Sequence, residues 1–390
     1  MKMRRSFRFN FTSCFRNVRR SMAWMVLCLA VCMLGLAVSA KAQNGHIIKF
    51  DVPGAGTGAG QGTTPFYINN AGVITGWYVD ASGVNHGFLR APDGTITAPI
   101  DAPLAGNVSG AGTVLYSVNR FGVIVGSSTA NDQTCQSFLL APNGRFTIIY
   151  LPPPLASQCS WADNINDAGT IAGAYIDTNS TAHVYLRAPN GTITAPIDGP
   201  GASTGDDNGT YIPTGYGLNP WGEITGFACN DVTCNGFLRG PDGAITGFAV
   251  QVSGAAGTMP TSINPAGEIA GSYWDTSGVT HGFLRTPDGT ITAPIDAPGA
   301  GNLSGQGTSV SSNNSAGVIT GNYTDADGVS HGYLRTPDGR FTIFNVRGAG
   351  AAPDQGEGTF PTGNNSAGAI MGYYVDVSLA SHGFLRLPMP

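Results

Sequence analysis

A unit of about fifty residues recurs seven times in this chain, and this repetition constrains the fold more than any other feature. In its fullest form, residues 68–97, the unit holds an Asn-Asn-Ala-Gly turn, a Tyr-Val-Asp triplet, a His-Gly-Phe-Leu-Arg segment and a Pro-Asp-Gly turn. The glycine of the first turn marks the register of the seven units, at Gly72, Gly122, Gly169, Gly222, Gly267, Gly317 and Gly368. A period of this length with only short strand-like runs predicts the blades of a β-propeller.

Four strands are predicted in each unit. In the first unit, one strand ends at Ile68, two span residues 73–79 and 86–90, and the last spans residues 95–101. Glycines in the tight turns supply the positive φ angles that short hairpins need. No segment keeps a 3.6-residue apolar period, so almost no helix is expected. The sequence therefore predicts an all-β chain, a seven-bladed β-propeller of four-stranded antiparallel blades.

The last unit lacks its fourth strand. The chain stops at residues 387–390, but a segment near its start, residues 47–56, matches residues 341–350 of the sixth unit. A first strand that completes the last repeat would close a ring and remove the ends that a solenoid must cap. We therefore expect residues 43–390 to form one propeller domain, with residues 47–52 as the fourth strand of blade seven.

Residues 1–42 have the pattern of a secretory signal peptide. A basic segment without acidic residues is followed by an apolar run over residues 22–38 and by the small-x-small site Ala40-Lys41-Ala42. An uncleaved membrane anchor is the alternative, but the run is shorter than the ~20 residues that a span requires. We expect cleavage and a secreted or periplasmic location.

The chain that remains after residue 42 is strongly acidic. The signal segment holds eight of the 19 basic residues and none of the 24 acidic ones, so its removal leaves a net charge of about −13. Nucleic acids and anionic membranes bind clustered positive charge. Neither is expected as a partner of the cleaved protein.

Four of the seven cysteines follow residue 42, and an even number in an exported chain predicts two disulfides. Cys229 and Cys234 flank one tight loop, which favours a local bridge. Cys135 occupies the repeat position of Cys234, and Cys159 lies in the connection that follows it. Because that loop and that connection share one face of a blade, we predict the pair Cys135–Cys159. A zinc site is the weaker interpretation, since no C-x-x-C pair is present.

The His-Gly-Phe and His-Gly-Tyr triplets resemble the repeated motif of a known protein family. They begin at His86, His281, His331 and His382. In units of this length after a signal peptide, they resemble the HAF-repeat family of bacterial extracellular proteins, over nearly all of residues 46–390. The family is named for His-Ala-Phe, whereas the middle residue here is Gly or, in one unit, Val184, and residues 136–138 and 235–237 depart further. The resemblance implies an exported, propeller-like repeat protein and carries over no catalytic residue.

Five histidines occupy one repeat position, and five aspartates precede them across the same loop. They are His86, His183, His281, His331 and His382, with Asp80, Asp177, Asp275, Asp325 and Asp376. A ring of metal ligands is one interpretation. A structural role is favoured, because a residue repeated around a ring serves the repeat, whereas a chemical site is normally built once. We expect a local Asp–His or His–backbone hydrogen bond, and neither a metal nor a cofactor.

Residues for acid–base chemistry are few. The only glutamates are Glu223, Glu268 and Glu357, of which the first two are expected to face solvent at hairpins. No two carboxylates stand out as the opposed pair of a glycosidase. Residues 201–205 match the nucleophile motif G-x-S-x-G around Ser203, but they lie in a glycine-rich link rather than between a strand and a helix, so we interpret the match as chance. No catalytic residue is predicted.

The candidates for ligand binding interrupt the repeat in units two to four: Arg120, Phe121, Trp161 and Trp221. Exposed aromatic side chains on a rigid scaffold suit a sugar or peptide surface, and packing between irregular blades is the alternative. We predict a secreted, monomeric, non-enzymatic binding or surface-structure module, with carbohydrate or protein at the cell surface as its partner. The competing prediction is a secreted propeller enzyme, a hydrolase or lyase acting on polysaccharide, with its site on the loop face of units two to four.

Overall fold

The computed structural model describes residues 45–152, 155, 159–206, 208–352 and 355–388. Within these residues the chain forms 28 β-strands and no helix, so the all-β prediction is confirmed. No helix in the described ranges is long and apolar enough to cross a membrane. The predicted signal segment, residues 1–42, lies outside the described residues.

The strands occupy four recurring positions and are numbered in chain order. The first strands of the seven repeats are β2 (Gly62–Ile68), β6 (Gly112–Val118), β10 (Cys159–Ile165), β14 (Gly209–Tyr211), β18 (Ala255–Ile263), β22 (Gly307–Asn313) and β26 (Gly358–Asn364). The second strands are β3 (Ile74–Val79), β7 (Ile124–Thr129), β11 (Ile171–Ile176), β15 (Ile224–Cys229), β19 (Ile269–Asp275), β23 (Ile319–Thr324) and β27 (Ile370–Val375). The third strands are β4 (Asn85–Arg90), β8 (Cys135–Leu140), β12 (Ala182–Arg187), β16 (Cys234–Arg239), β20 (Thr280–Arg285), β24 (Ser330–Arg335) and β28 (Ser381–Arg386). The fourth strands are β5 (Ile96–Ile100), β9 (Phe146–Ile148), β13 (Ile193–Ile197), β17 (Ile245–Phe248), β21 (Ile291–Ile295), β25 (Phe341–Phe344) and β1 (Ile47–Phe50).

The strands of a repeat pair antiparallel in chain order, as β2–β3–β4–β5 do. In the last repeat the outer edge of β28 is paired by β1, with Ile47 opposite Arg386 and Phe50 opposite Gly383. The same register relates β25 to β24, in which Phe344 lies opposite Gly332. The segment at the start of the domain therefore occupies the place of a fourth strand in the last repeat.

Neighbouring repeats meet where a third strand begins. In the described part of the chain, its first residue forms a parallel bridge with the first strand of the next repeat at Asn85–Gly112, Cys135–Cys159, Ala182–Gly209, Thr280–Gly307, Ser330–Gly358 and Ser381–Gly62. The glycine φ angles lie between 108° and 130°. A Cβ at Gly62 would also overlap the carbonyl oxygen of Ser381. Glycine suits this close approach and occupies five of the six bridge positions, with Cys159 as the exception. The Ser381–Gly62 bridge joins the last repeat to the first.

Apolar clusters fill the space between successive repeats. Seven clusters form among the described residues, one for each pair of neighbours. The cluster of Ile68, Phe88, Met371 and Leu385 packs the last repeat against the first, and Val52 from the segment after β1 joins it. Burial of each such large apolar side chain contributes about 1.5–3 kcal/mol relative to exposure. The recurrence of Ile, Phe and Leu in every unit follows from this packing on both sheet faces.

The asparagine that follows each first strand forms a set of hydrogen bonds that returns to its starting residue. Each Nδ2 donates to the backbone carbonyl of the equivalent asparagine in the next repeat, at 2.9–3.4 Å, in the order Asn69, Asn119, Asn166, Asn219, Asn264, Asn314, Asn365 and again Asn69. The Oδ1 accepts N–H groups of its own turn, as in Asn314 with Ala316 and Val318. All seven side chains are buried. A carboxamide, with donors and an acceptor, meets both demands, which explains the asparagine in every unit.

The first strand of the fourth repeat is interrupted by an inner loop, residues 213–217. The loop accounts for the longest spacing between turn glycines, from Gly169 to Gly222. Its Tyr216 carbonyl accepts the N–H of Ile263 at 2.9 Å, and its Tyr216 hydroxyl accepts the N–H of Ile68 at 3.4 Å. A Cβ at Gly363 would fall on the same hydroxyl. The loop thus contacts the first strands of the first, fifth and seventh repeats, so it lies at the inner edge of these strands.

Deletion of residues 43–53 should destabilise the protein far more than the loss of a frayed terminus. The deletion frees the edge of β28, removes Val52 from its cluster and takes Phe50 from its place 5.0 Å from the Arg90 guanidinium. Calorimetry should show a lower melting temperature, and size-exclusion chromatography should show association through the open edge. Lys49→Ala, at an exposed position of β1, is the control and should melt near the wild type. A truncated monomer with an unchanged melting temperature would contradict the role of β1.

Asn314→Ala should lower the free energy of unfolding by about 3 kcal/mol, because it leaves two turn N–H groups without partners and removes one of the two donors to the Asn365 carbonyl. Denaturant titration measures the loss. Ser315→Ala, at the exposed neighbouring position, should change stability by less than about 0.5 kcal/mol. If the two variants lose the same amount, the asparagine hydrogen bonds do not contribute as we infer.

Candidate functional site

The antiparallel strand order gives each repeat two distinct ends. One end, here the turn face, carries the turns at residues 69–73 and 91–95 and their equivalents. The other, the connection face, carries the hairpins at residues 80–84, the links at residues 101–111 and their equivalents. Because the longer links lie on the connection face, it is the first place to seek a functional site.

Each of the five repeated histidines lies on the connection face, stacked on a tyrosine and flanked by two polar partners. The ring centroids are 4.8–5.2 Å apart. The Nδ1 lies 2.7–3.1 Å from a side-chain oxygen just after a fourth strand, and the Nε2 lies 2.8–3.8 Å from the hairpin aspartate. In the order Tyr, His, Nδ1 partner, hairpin Asp, the clusters are Tyr78–His86–Asp101–Asp80, Tyr175–His183–Asp198–Asp177, Tyr273–His281–Asp296–Asp275, Tyr323–His331–Asn345–Asp325 and Tyr374–His382–Asp51–Asp376.

Opposite charges meet in the histidine cluster of the third repeat. In the third repeat the Nδ1 of His183 lies 2.7 Å from Asp198, and this hydrogen bond raises the pKa of His183 although partial burial opposes the rise. Partial burial also acts to raise the pKa of Asp177, but the N–H groups of Thr181 and Asn179 outweigh it and the pKa is lowered. An imidazolium between two carboxylates is thereby favoured, and its interactions are satisfied within its own blade. This arrangement supports a structural role for the repeated histidines.

Sequence reasoning found the hairpin aspartates but missed the Nδ1 partners. The signal for them was a Pro-Ile-Asp triplet that recurs at residues 99–101, 196–198 and 294–296. In the last repeat the partner is Asp51, which lies 2.9 Å from His382 and follows β1. The last cluster therefore joins the two ends of the described domain.

Both predicted disulfides are confirmed. Cys135–Cys159 joins the second repeat to the third, with Cα atoms 4.3 Å apart, and Cys229–Cys234 spans the hairpin of the fourth repeat, with Cα atoms 4.1 Å apart. The second and fourth repeats are those with Gln136 or a second carboxamide, Asn235, at the histidine position. In the two repeats without a histidine cluster, a disulfide therefore anchors the start of the third strand, to the next repeat at Cys135 and to the preceding strand at Cys234.

Three of the four predicted ligand-binding residues lie on the turn face. Phe121 and Trp221 are 57% and 68% exposed. The Arg120 guanidinium lies 4.5 Å from the Phe121 ring, and the Arg120 N–H donates to Asp167 at 2.9 Å. The Trp221 indole N–H donates to the Pro265 carbonyl at 2.8 Å. Their role in ligand binding stays a prediction.

Trp161 does not lie with these residues. It belongs to β10 and packs, partly buried, against the apolar cluster between the third and fourth repeats, beside Ile212 and Phe237. This position favours the packing role that the sequence left open for it.

The two glutamates expected to face solvent are only partly exposed, and each also accepts a hydrogen bond from its own turn. Glu223 accepts a hydrogen bond from buried Asn219 at 2.5 Å, and Glu268 accepts one from buried Asn264 at 2.7 Å. Both carboxylates support the asparagine turns, which sequence position after the turn glycine did not reveal.

The G-x-S-x-G motif lies at a small cavity of about 110 Å³ between the third and fourth repeats, which Ser203, His183 and Asp198 line together. The Ser203 hydroxyl is buried and has no hydrogen-bond partner within the described residues. Both ring nitrogens of His183 face carboxylates, so no free nitrogen is directed to the serine. The arrangement lacks the serine–base hydrogen bond of an activated nucleophile.

A larger cleft of about 540 Å³ opens on the connection face between the fourth and fifth repeats. The parallel bridge that Cys234, the first residue of β16, would form with Gly257 by analogy with the other repeats is absent. Instead, the Thr233 hydroxyl donates to the Ala256 carbonyl at 2.6 Å. The link over residues 249–254 is also shorter than its counterpart over residues 296–306. The cleft is therefore a departure from the repeat on this face.

A buried carboxylic acid lies beneath the inner loop. The Thr214 hydroxyl donates to Asp163 Oδ1 at 2.9 Å, and the Gly215 N–H donates to the Asp163 carbonyl at 3.1 Å. Burial raises the pKa of Asp163 to about 7, although the Thr214 hydrogen bond acts to lower it. Near neutral pH this group is poised between its two protonation states and cannot reach solvent, so its effect is on stability.

Asp163→Asn should make the protein more stable than the wild type at pH 8 but not at pH 4. The pKa is raised from 3.8 to about 7 on folding, so the wild type loses stability as pH rises through this window, by a total on the order of 4 kcal/mol. Asparagine still accepts the Thr214 hydrogen bond and carries no proton to lose. Urea titrations at pH 4, 6 and 8 measure the difference, with the exposed Asp206→Asn as control. A difference that does not change with pH would contradict this assignment.

No protein-family model and no curated protein matches this chain. Several solved structures are similar to it. Virginiamycin B lyase from Staphylococcus aureus is 15% identical with a TM-score of 0.52, over 88% of this chain and 100% of that one. The BP39L lectin from Burkholderia pseudomallei is 12% identical with a TM-score of 0.52, over 83% and 96%. The β-propeller domain of the Trilobed protease from Pyrococcus furiosus, which has an open velcro topology, is 8% identical with a TM-score of 0.52, over 84% and 94%. These likenesses identify the fold of this chain as a β-propeller.

Proposed function

We propose that this chain is an exported, non-enzymatic binding protein built on a closed seven-bladed β-propeller of four-stranded blades. Residues 43–390 form the propeller, and residues 47–52 complete its last blade. The pairing of β1 with β28, the seven inter-repeat clusters and the asparagine hydrogen bonds that return to Asn69 all support closure. With its blades joined in this way, the protein acts as a monomer.

Export rests on the signal pattern of residues 1–42 and is supported by the two disulfides, since such bonds persist in oxidising compartments. The location is then secreted or periplasmic. The His-Gly-Phe triplets support membership of the HAF-repeat family, and carbohydrate or protein at the cell surface is the expected partner.

One observation supports a binding function rather than a catalytic one: the titratable side chains are bonded to one another and not directed toward a substrate. On the connection face, each of the five repeated histidines lies within hydrogen-bond distance of an aspartate. Catalysis by general acid and base needs groups that reach a substrate with a pKa suited to proton transfer. The raised pKa of Asp163 does not supply one, because the inner loop covers that group.

A polysaccharide hydrolase or lyase is the second candidate. It is favoured by one observation, the cavity that His183, Asp198 and the unpartnered Ser203 hydroxyl share. If this cavity were an active site, Asp198 would be needed for turnover, since it lies within hydrogen-bond distance of His183.

Binding and turnover can be separated with the protein lacking residues 1–42. Neutral and acidic polysaccharides are incubated with it, and new reducing ends and the ultraviolet absorbance of unsaturated sugars are followed, while affinity electrophoresis reports binding. We expect retardation by at least one polysaccharide and no product. Product that appears with the wild type and with the exposed-turn control Asp288→Asn, but not with Asp198→Asn, would overturn the proposal in favour of the enzyme.

A further inference from the structure

We propose that the cleft between the fourth and fifth repeats is a binding subsite for a neutral carbohydrate. The inference rests on the proposed binding function and assigns it a place and a ligand class.

The cleft exists because the fourth repeat has lost the groups that fill the equivalent space elsewhere. Between the third and fourth repeats, His183 and Asp198 face each other, and the remaining cavity is about 110 Å³. At the corresponding positions the fourth repeat carries Asn235 and Ala249, and the cleft there is about 540 Å³. That volume lies in the range of roughly 300–1,000 Å³ that small-molecule sites occupy.

The cleft lining is free of charge and offers hydrogen-bonding side chains. All the residues that line it are uncharged. The hydroxyls of Thr233 and Thr258 are already engaged, with the Ala256 carbonyl and the Val250 N–H. The carboxamides of Asn235 and Gln251 make no hydrogen bond within the described residues. Two carboxamides that each donate and accept match the paired donor and acceptor character of sugar hydroxyls.

A rigid frame surrounds the cleft. The indole of half-buried Trp274 packs against Gly257, where a Cβ would overlap it. The hairpin that carries Thr233 and Asn235 is fixed by the Cys229–Cys234 disulfide. Side chains held on a rigid frame lose little freedom when a ligand binds.

A neutral sugar fits this lining better than a peptide or an acidic polysaccharide. The small apolar residues Ala249, Ala255 and Ala256 leave no deep pocket for a peptide side chain, and no cation lines the cleft to pair with a carboxylate or sulfate. A polar, uncharged and open cleft with free carboxamides selects a ligand that is itself polar and uncharged.

The test measures binding to the protein of residues 43–390 by isothermal titration calorimetry. The neutral probes are cellotetraose, xylotetraose, mannotetraose and maltotetraose. The acidic probes are heparin and polygalacturonate, and a mixed tetrapeptide pool is the peptide probe. We expect at least one neutral tetrasaccharide to bind. The Asn235→Ala/Gln251→Ala double variant should weaken that binding at least tenfold, because it removes both free carboxamides. Gln355→Ala, an exposed carboxamide on another link, should leave the Kd unchanged.

A second variant guards against loss of binding through misfolding. Asn235→His/Ala249→Asp installs the His–Asp pair that four other repeats carry, so it should fold and melt near the wild type while abolishing binding. Neutral-sugar binding that survives both cleft variants would overturn this site and leave the proposed binding function intact. Binding of only the acidic probes or the peptides would overturn the ligand class, and no binding by any probe would overturn the inference.

Discussion

The hydrogen bond from each turn asparagine to the next repeat is the interaction on which the arrangement of the blades depends. Apolar burial between repeats contributes more free energy than these hydrogen bonds, but it is non-directional and does not set the spacing between repeats. Each asparagine binds its own turn through Oδ1 and the following repeat through Nδ2, so it fixes both the shape of the turn and the distance to its neighbour. The seven bonds close on Asn69, and an error in one repeat would displace all the others.

The histidine clusters on the opposite face perform a related task with charge. Each one fastens a hairpin to the end of the fourth strand of its own blade, as His86 does between Asp80 and Asp101. Because the partners are partly buried and arranged in short, direct contacts, they are less screened than scattered surface pairs. In the repeats without a histidine at this position, a disulfide anchors the start of the third strand instead, at Cys135 and at Cys234. Two different kinds of bond thus meet one structural requirement.

Two features of this protein, an inner loop and a cleft, arise where the fourth repeat departs from the others. The inner loop of the fourth repeat places Tyr216 against first strands of three other repeats and buries Asp163 beneath it. The shortened link that follows the same repeat opens the cleft beside Asn235. Both changes belong to one unit, and the regular units around it supply the rigid frame in which they lie.

The sequence by itself determined the all-β propeller fold, the strand positions and the pairing of the four cysteines. These features depend on local periodicity, on glycines where φ is positive, and on which loops share a face, all of which a repeat displays directly. The tertiary structure decided which side chains meet across the repeat. It placed Asp51 beside His382 and packed Trp161 into an apolar cluster. It also hydrogen-bonded Glu223 to a buried asparagine and opened the cleft where Cys234 and Gly257 do not pair. Such contacts depend on register and packing between residues that are distant along the chain, and no local pattern encodes them.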